Sequence, residues 1–173
     1  ISGIETVAFK KDYNVIVTQT HESYEREVLN TQHHFSRSVD GLLVSLSAET
    51  QNVDHFEQVQ KNGLPIVFFD RVPDQINTHK VISNNFQGAY DATLHLIEKG
   101  YKHIAQITSS YFLSITVERL AGYIKALEEN NIEVNEKFIK YCAHGGMIKE
   151  EIHEAIDDLL SLKVKPDAIL TAS

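Results

Sequence analysis

The sequence predicts an α/β protein in which mainly parallel sheets are covered by helices on both faces, a doubly wound arrangement. Three observations carry that expectation. Short apolar or β-branched runs alternate along the chain with segments of helical periodicity. Several of those runs, such as GLLVSL (41–46) and PIVFF (65–69), are apolar at successive positions, as strands buried on both faces require. Each run is separated from the next by enough residues for a helical crossover, which parallel neighbours need.

Taken in order, Ile1, Ile4, Val7 and Ala8 recur at helical spacing, and Lys10 and Lys11 follow where a helix C-terminus favours positive charge. Tyr13 to Thr18 (YNVIVT) reads as a strand, and Glu22 to Arg37 as a helix with Tyr24, Val28, Thr31 and Phe35 along one face. Strand Gly41–Leu46 precedes a short helix marked by Val53, Phe56 and Val59 that stops at Asn62-Gly63. Strand Pro65–Phe69 leads into an aperiodic stretch, Arg71–His79, then strand Lys80–Ser83. Asn84-Asn85 is placed to cap a helix over Phe86–Lys99 that ends at Gly100. Strand His103–Thr108, helix Thr116–Asn130, strand Phe138–Cys142, helix Ile148–Leu162 and strand Ala168–Thr171 complete the alternation. Seven strands are expected, divided between two lobes, residues 1–83 and 84–173. Ile1 lies already inside a helix and Ser173 directly follows a strand, so the chain is expected to continue in both directions.

With 42% hydrophobic and 23% charged residues among 173, the chain is neither disordered nor collagen-like. Its net charge of −8 works against gripping a polyanion over most of the surface, so any contact with nucleic acid is expected from a basic segment outside these residues. Cys142 is the single cysteine, which excludes an internal disulfide and fits a reducing compartment. No apolar run approaches the roughly 18 to 20 residues of a membrane span, and no leader pattern opens the chain; a cytoplasmic protein is expected.

Motifs for catalysis are missing from the sequence. The nine histidines form no His-x-x-x-His pair, and adjacent His33 and His34 diverge by about 100° on a helix. There is no Gly-x-Ser-x-Gly elbow, no dinucleotide fingerprint and no P-loop, and Cys142 sits in an apolar run where a thiol is ordinarily inert. Neither an enzyme, a metal site nor a cofactor is expected. What remains is polar residues at the C-terminal ends of strands, where ligands of open α/β sheets collect. Asp70 and Arg71 follow PIVFF, Asn84 and Asn85 follow KVIS, and SSYFLSIT (109–116) leads into the helix bearing Arg119. Arginine forks, amides and an aromatic face such as Tyr111 or Phe112 suit a small polyhydroxylated or heterocyclic ligand held between two lobes. Structural roles remain open: Asp70-Arg71 as a local ion pair, Asn85 as a helix cap, Arg119 as a surface charge beside Glu118.

The stretches SRSVDGLLVS (36–45), LPIVFFDR (64–71), VISNNFQGAYDATLHLIEKGYKHIAQI (81–107), ERLAGYIKALEENNI (118–132) and PDAILTAS (166–173) together resemble the effector-binding region of LacI/GalR-type bacterial transcription regulators. The resemblance implies a two-lobed fold like that of periplasmic sugar-binding proteins and a homodimer. It also implies a helix-turn-helix headpiece upstream that reads operator DNA, and a sugar or nucleoside-like effector that modulates this allosterically from the cleft. It points to Arg119 of the R-L-x-G-Y pattern first, then Phe112, Ser114 and Thr116 in the preceding loop and Asn84 or Asn85, with Asp70 added by the residue reading. A periplasmic sugar-binding protein of a transporter is the alternative with the same fold.

Overall fold

Two all-parallel, three-stranded sheets carry the chain, which the computed structural model describes over residues 1–172. The N-terminal half contains α1 (Ser2–Phe9), α2 (Tyr24–Ser36), β1 (Leu42–Val44), α3 (Asp54–Lys61), β2 (Ile66–Phe69) and β3 (His79–Val81). The C-terminal half contains α4 (Asn85–Glu98), β4 (Ile104–Thr108), α5 (Ser114–Glu129), a 3-10 turn at Glu136–Phe138, β5 (Ile139–Tyr141), α6 (Lys149–Ser161) and β6 (Ala168–Ala172). Strand order is β1-β2-β3 in the first sheet and β5-β4-β6 in the second. The expected α/β class with parallel sheets and flanking helices is what the chain adopts.

The first sheet is held by one strongly buried face. Register pairs Leu42 with Ile66 and Val44 with Phe68, and these side chains pack against Phe56 and Val59 of α3, with Phe68 wholly buried. Alternation places Leu43 on the opposite face, where it is 54% exposed, so this sheet is covered chiefly from the α3 side. The second sheet is buried on both faces, as its apolar strand implies: Ile104 meets Tyr123 and Leu127 of α5, while Ala105 meets Phe138 and Leu159 of α6. Tyr123 anchors α5 by donating from its hydroxyl to the Ile104 carbonyl at 2.7 Å, and burial pushes that phenol's pKa up to about 12.

Helices α4 and α5 lie against each other with little room between their backbones. A Cβ on Gly122 would collide with the Phe86 carbonyl oxygen and come within 3.0 Å of the Tyr90 nitrogen. The glycine is therefore a packing requirement rather than a turn.

One expected strand is corrected. Tyr13 to Thr18 joins neither ladder among the described residues; Val15, Ile16 and Val17 are 39, 64 and 51% exposed. β-branched residues favour an extended backbone, but a ladder also needs a neighbour with a free edge about 4.8 Å away, and β1's outer edge is not filled by this segment. Among the described residues, six strands thus replace the seven expected. Other boundaries move by a few residues: α5 starts at Ser114, two residues earlier than Thr116, and Phe138 belongs to the turn before β5. Ser173 lies outside the described residues.

Candidate functional site

The C-terminal ends of strands in both sheets open onto one cleft of about 590 Å³. From the first sheet, the segment after β1 contributes Leu46, Thr50 and Gln51, and the segment after β2 contributes Arg71 to Gln75. From the second, Phe112, Leu113 and Ser114 enter where β4 hands over to α5, followed by Val117 and Glu118 on the helix. The Ser114 hydroxyl comes within 3.5 Å of the Val72 carbonyl, linking the two sides. Parallel strands put such loops at one end of each sheet, which is why the walls are built there.

Two carboxylates, Glu22 in the turn before α2 and Glu27 in its first turn, brace the N-terminal wall. Glu22 accepts from the Arg71 guanidinium at 2.6 Å and from the Ala48 backbone N–H at 2.7 Å; the Arg71 and Glu22 side chains are only 13% and 18% exposed. Glu27, 3% exposed, accepts from the Ser47 N–H and the Thr50 hydroxyl, both at 2.8 Å. A ring nitrogen of buried His55 lies 3.2 Å from Glu27, off the hydrogen-bond direction. These bonds fix residues 46–50, a segment that the strand ladder has already left.

Arg71 also meets the C-terminal half. A Cβ on Gly145 would sit 3.3 Å from Arg71 Nη2, 3.6 Å from Glu22 Oε1 and 3.9 Å from Ser109 Oγ. The turn after β5 therefore seats against the ion pair, and its left-handed backbone (φ +58°) suits glycine. Behind that turn Cys142 is buried, and burial pushes its thiol pKa up. His144 donates its backbone N–H to Glu151 and pairs its ring with it at 2.7 Å.

The predicted residues are not all brought together. Phe112 and Ser114 line the cleft. Arg119 donates from Nε to Asn85 Oδ1 at 3.1 Å, and the Asn85 amide donates to Glu118 at 3.0 Å, so this pair reaches the cleft through the Glu118 carboxylate. Asn84, not Asn85, caps α4 by accepting from the Gln87 N–H at 3.1 Å. Asp70 is exposed with φ +59°, and its backbone N–H bonds the Val81 carbonyl; Arg71's ion-pair partner is Glu22 rather than this neighbour. Thr116 lies on the other flank of α5, in a shallower apolar depression of about 320 Å³ with Tyr111 and Tyr141. Sequence reasoning missed Glu22, Thr50, Gln51, Asp74 and Gln75. Only the place of Asp74 and Gln75 in the aperiodic segment 71–79 offered a signal.

Comparison with known proteins places this geometry. The whole chain, residues 1–173, matches the family of periplasmic binding proteins and sugar binding domain of the LacI family. The chain belongs to that family. Its relatives include the HTH-type transcriptional repressor PurR of Aliivibrio salmonicida (strain LFI1238), 30% identical over 168 residues, covering 96% of this chain and 49% of the repressor. The chain thus spans about half the length of the curated relatives it matches. Among solved structures, transcription regulator CcpA of Lactococcus lactis superposes with a TM-score of 0.84 at 24% identity, covering 98% of this chain and 60% of CcpA. The Cra transcriptional dual regulator of Pseudomonas putida, in complex with fructose 1-phosphate, superposes with a TM-score of 0.81 at 25% identity, covering 99% and 62%. The LacI-family fold accounts for the paired parallel sheets and their flanking helices.

Proposed function

We propose that this chain is the effector-binding part of a LacI-type transcriptional regulator. Its two lobes, 1–83 and 84–173, would close on a small sugar or nucleoside-like molecule. The observation that carries this reading is the cleft itself, walled by polar and aromatic groups from the strand ends of both sheets. A ligand touching both walls gains contacts that exist only in one lobe arrangement, so its differential affinity biases that arrangement. Kinship with repressors along nearly the whole chain favours a regulator over a transporter component.

In this reading the protein acts in the cytoplasm as a homodimer. The basic surface that binds operator DNA belongs to the longer protein, because the net charge here is −8. Binding, rather than covalent turnover, is the chemistry. Arg119, Asn85, Phe112 and Ser114 are the proposed ligand contacts, with Asn84, Asp70 and Thr116 as further contacts implied by the sequence.

A thermal-shift screen of sugars and nucleosides on the full-length protein tests this, since a ligand that binds only the native state raises Tm by mass action. A stabilising ligand whose effect disappears in Arg119→Ala supports the assignment. Unchanged binding by that variant removes Arg119 from the site.

A further inference from the structure

We infer that the cleft admits an uncharged, hydroxyl-rich ligand and turns away the phosphate ester of the same molecule. This rests on the reading of the cleft as the effector site. Arg71 is the one cation among the described residues that line it, and that charge is already matched by Glu22 at 2.6 Å. Glu118 and Asp74 also line the cleft. On the other side stands the N-terminus of α5, which opens at Leu113–Ser114 with no side-chain cap and no acidic residue in its first turn. It supplies the equivalent of about half a positive charge. The cleft is therefore net negative, by about one and a half charges. Even if Arg119 turned inward from Asn85, the sign would not change.

A phosphate monoester carries about −1.5 to −2 at neutral pH, and it would enter a site that already has an excess of the same sign. At the few-ångström separations within a cleft this size, and in a medium less polar than water, that repulsion is worth at least about tenfold in affinity. A hydroxyl-rich neutral ligand meets the opposite situation. Its O–H groups donate to the Glu118 and Asp74 carboxylates, and its oxygens accept from the first-turn N–H groups of α5 and from the Gln51 and Gln75 amides. Phe112, 49% exposed at the mouth, offers a flat face to the C–H side of a ring. The fold does not impose this choice, because the Cra relative was crystallised with fructose 1-phosphate. The carboxylates of this chain do.

Calorimetric titration of the full-length protein with three matched pairs tests the inference: D-ribose and ribose 5-phosphate, D-fructose and fructose 1-phosphate, guanosine and guanosine 5′-monophosphate. In whichever pair is recognised, the uncharged member is expected to bind at least about tenfold more tightly, and Glu118→Gln to narrow the gap. An ester that binds as tightly as its parent, or more tightly, overturns the inference while leaving the cleft as the effector site. Failure of all six to bind overturns both.

Discussion

Arg71 and Glu22, 49 residues apart in sequence, meet at 2.6 Å at the point where Gly145 from the other half of the chain closes against them. The pair also engages the backbone after β1, Arg71 donating to the Leu46 carbonyl and Glu22 accepting from the Ala48 N–H. Glu22→Ala would leave the guanidinium without its counter-charge at low exposure, and is expected to cost about 1–3 kcal/mol. Urea denaturation of the full-length protein measures that loss. A double variant, Glu22→Ala with Arg71→Met, should lose less than the two single variants added together.

Glu27 is the buried carboxylate of α2, and it holds the segment after β1 through Ser47 and Thr50. Glu27→Leu strands the Ser47 N–H in a dry site and leaves the Thr50 hydroxyl only the Ser47 hydroxyl, 2.7 Å away, so a loss of about 1–3 kcal/mol is expected by chemical denaturation. Glu27→Gln keeps the volume and one acceptor oxygen and should lose less. Because Thr50 lines the cleft, ligand affinity should fall in parallel with stability across the two variants.

Gly122 marks a close approach of α5 to the backbone of α4. Gly122→Ala pushes a methyl group into the Phe86 carbonyl and is expected to destabilise by about 1–3 kcal/mol, although alanine is the better helix former. Gly88→Ala, on the open side of α4, has nothing within 4 Å of the added carbon and should be neutral or slightly stabilising by the same assay.

The sequence disclosed what depends on local pattern. The helical periodicity of 86–99 and 116–130 and the apolar runs at 65–69 and 103–108 correspond to α4, α5, β2 and β4 with small shifts. It did not disclose what depends on distant partners. Tyr13–Thr18 has strand composition but no ladder, because composition says nothing about whether an edge is available. Periodicity puts Tyr24, Val28, Thr31 and Phe35 along one face of α2; the helix buries Glu27 and Thr31, while Phe35 is 39% exposed. A charged residue counts as a solvated position in any periodicity argument, so a carboxylate with two hydrogen-bond donors elsewhere in the chain escapes it. The same limit hid Glu22 behind Arg71.

Asp167 links the starts of β4 and β6 by accepting from the backbone N–H groups of Lys102 and His103 at 3.0 and 2.9 Å. Burial alone would raise its pKa, but those two bonds and the His103 ring outweigh it, and the carboxyl lies below its usual 3.8. A depressed pKa means stability that is present above the unfolded value and lost as pH falls through the folded one. The side chain is 39% exposed, so the contribution is under about 1 kcal/mol. Wild type and Asp167→Asn should differ in urea midpoint at pH 7 and converge as the pH falls through the depressed pKa of the folded carboxyl.

Operator affinity of the full-length protein, measured by fluorescence anisotropy with and without a ligand that raises its Tm, is the most direct test of the account. Ligand-dependent change of about fivefold or more in operator affinity, lost in Arg119→Ala while affinity of the unliganded variant is retained, is the predicted result. Identical operator affinity with and without saturating ligand, or no affinity for DNA at all, would contradict it.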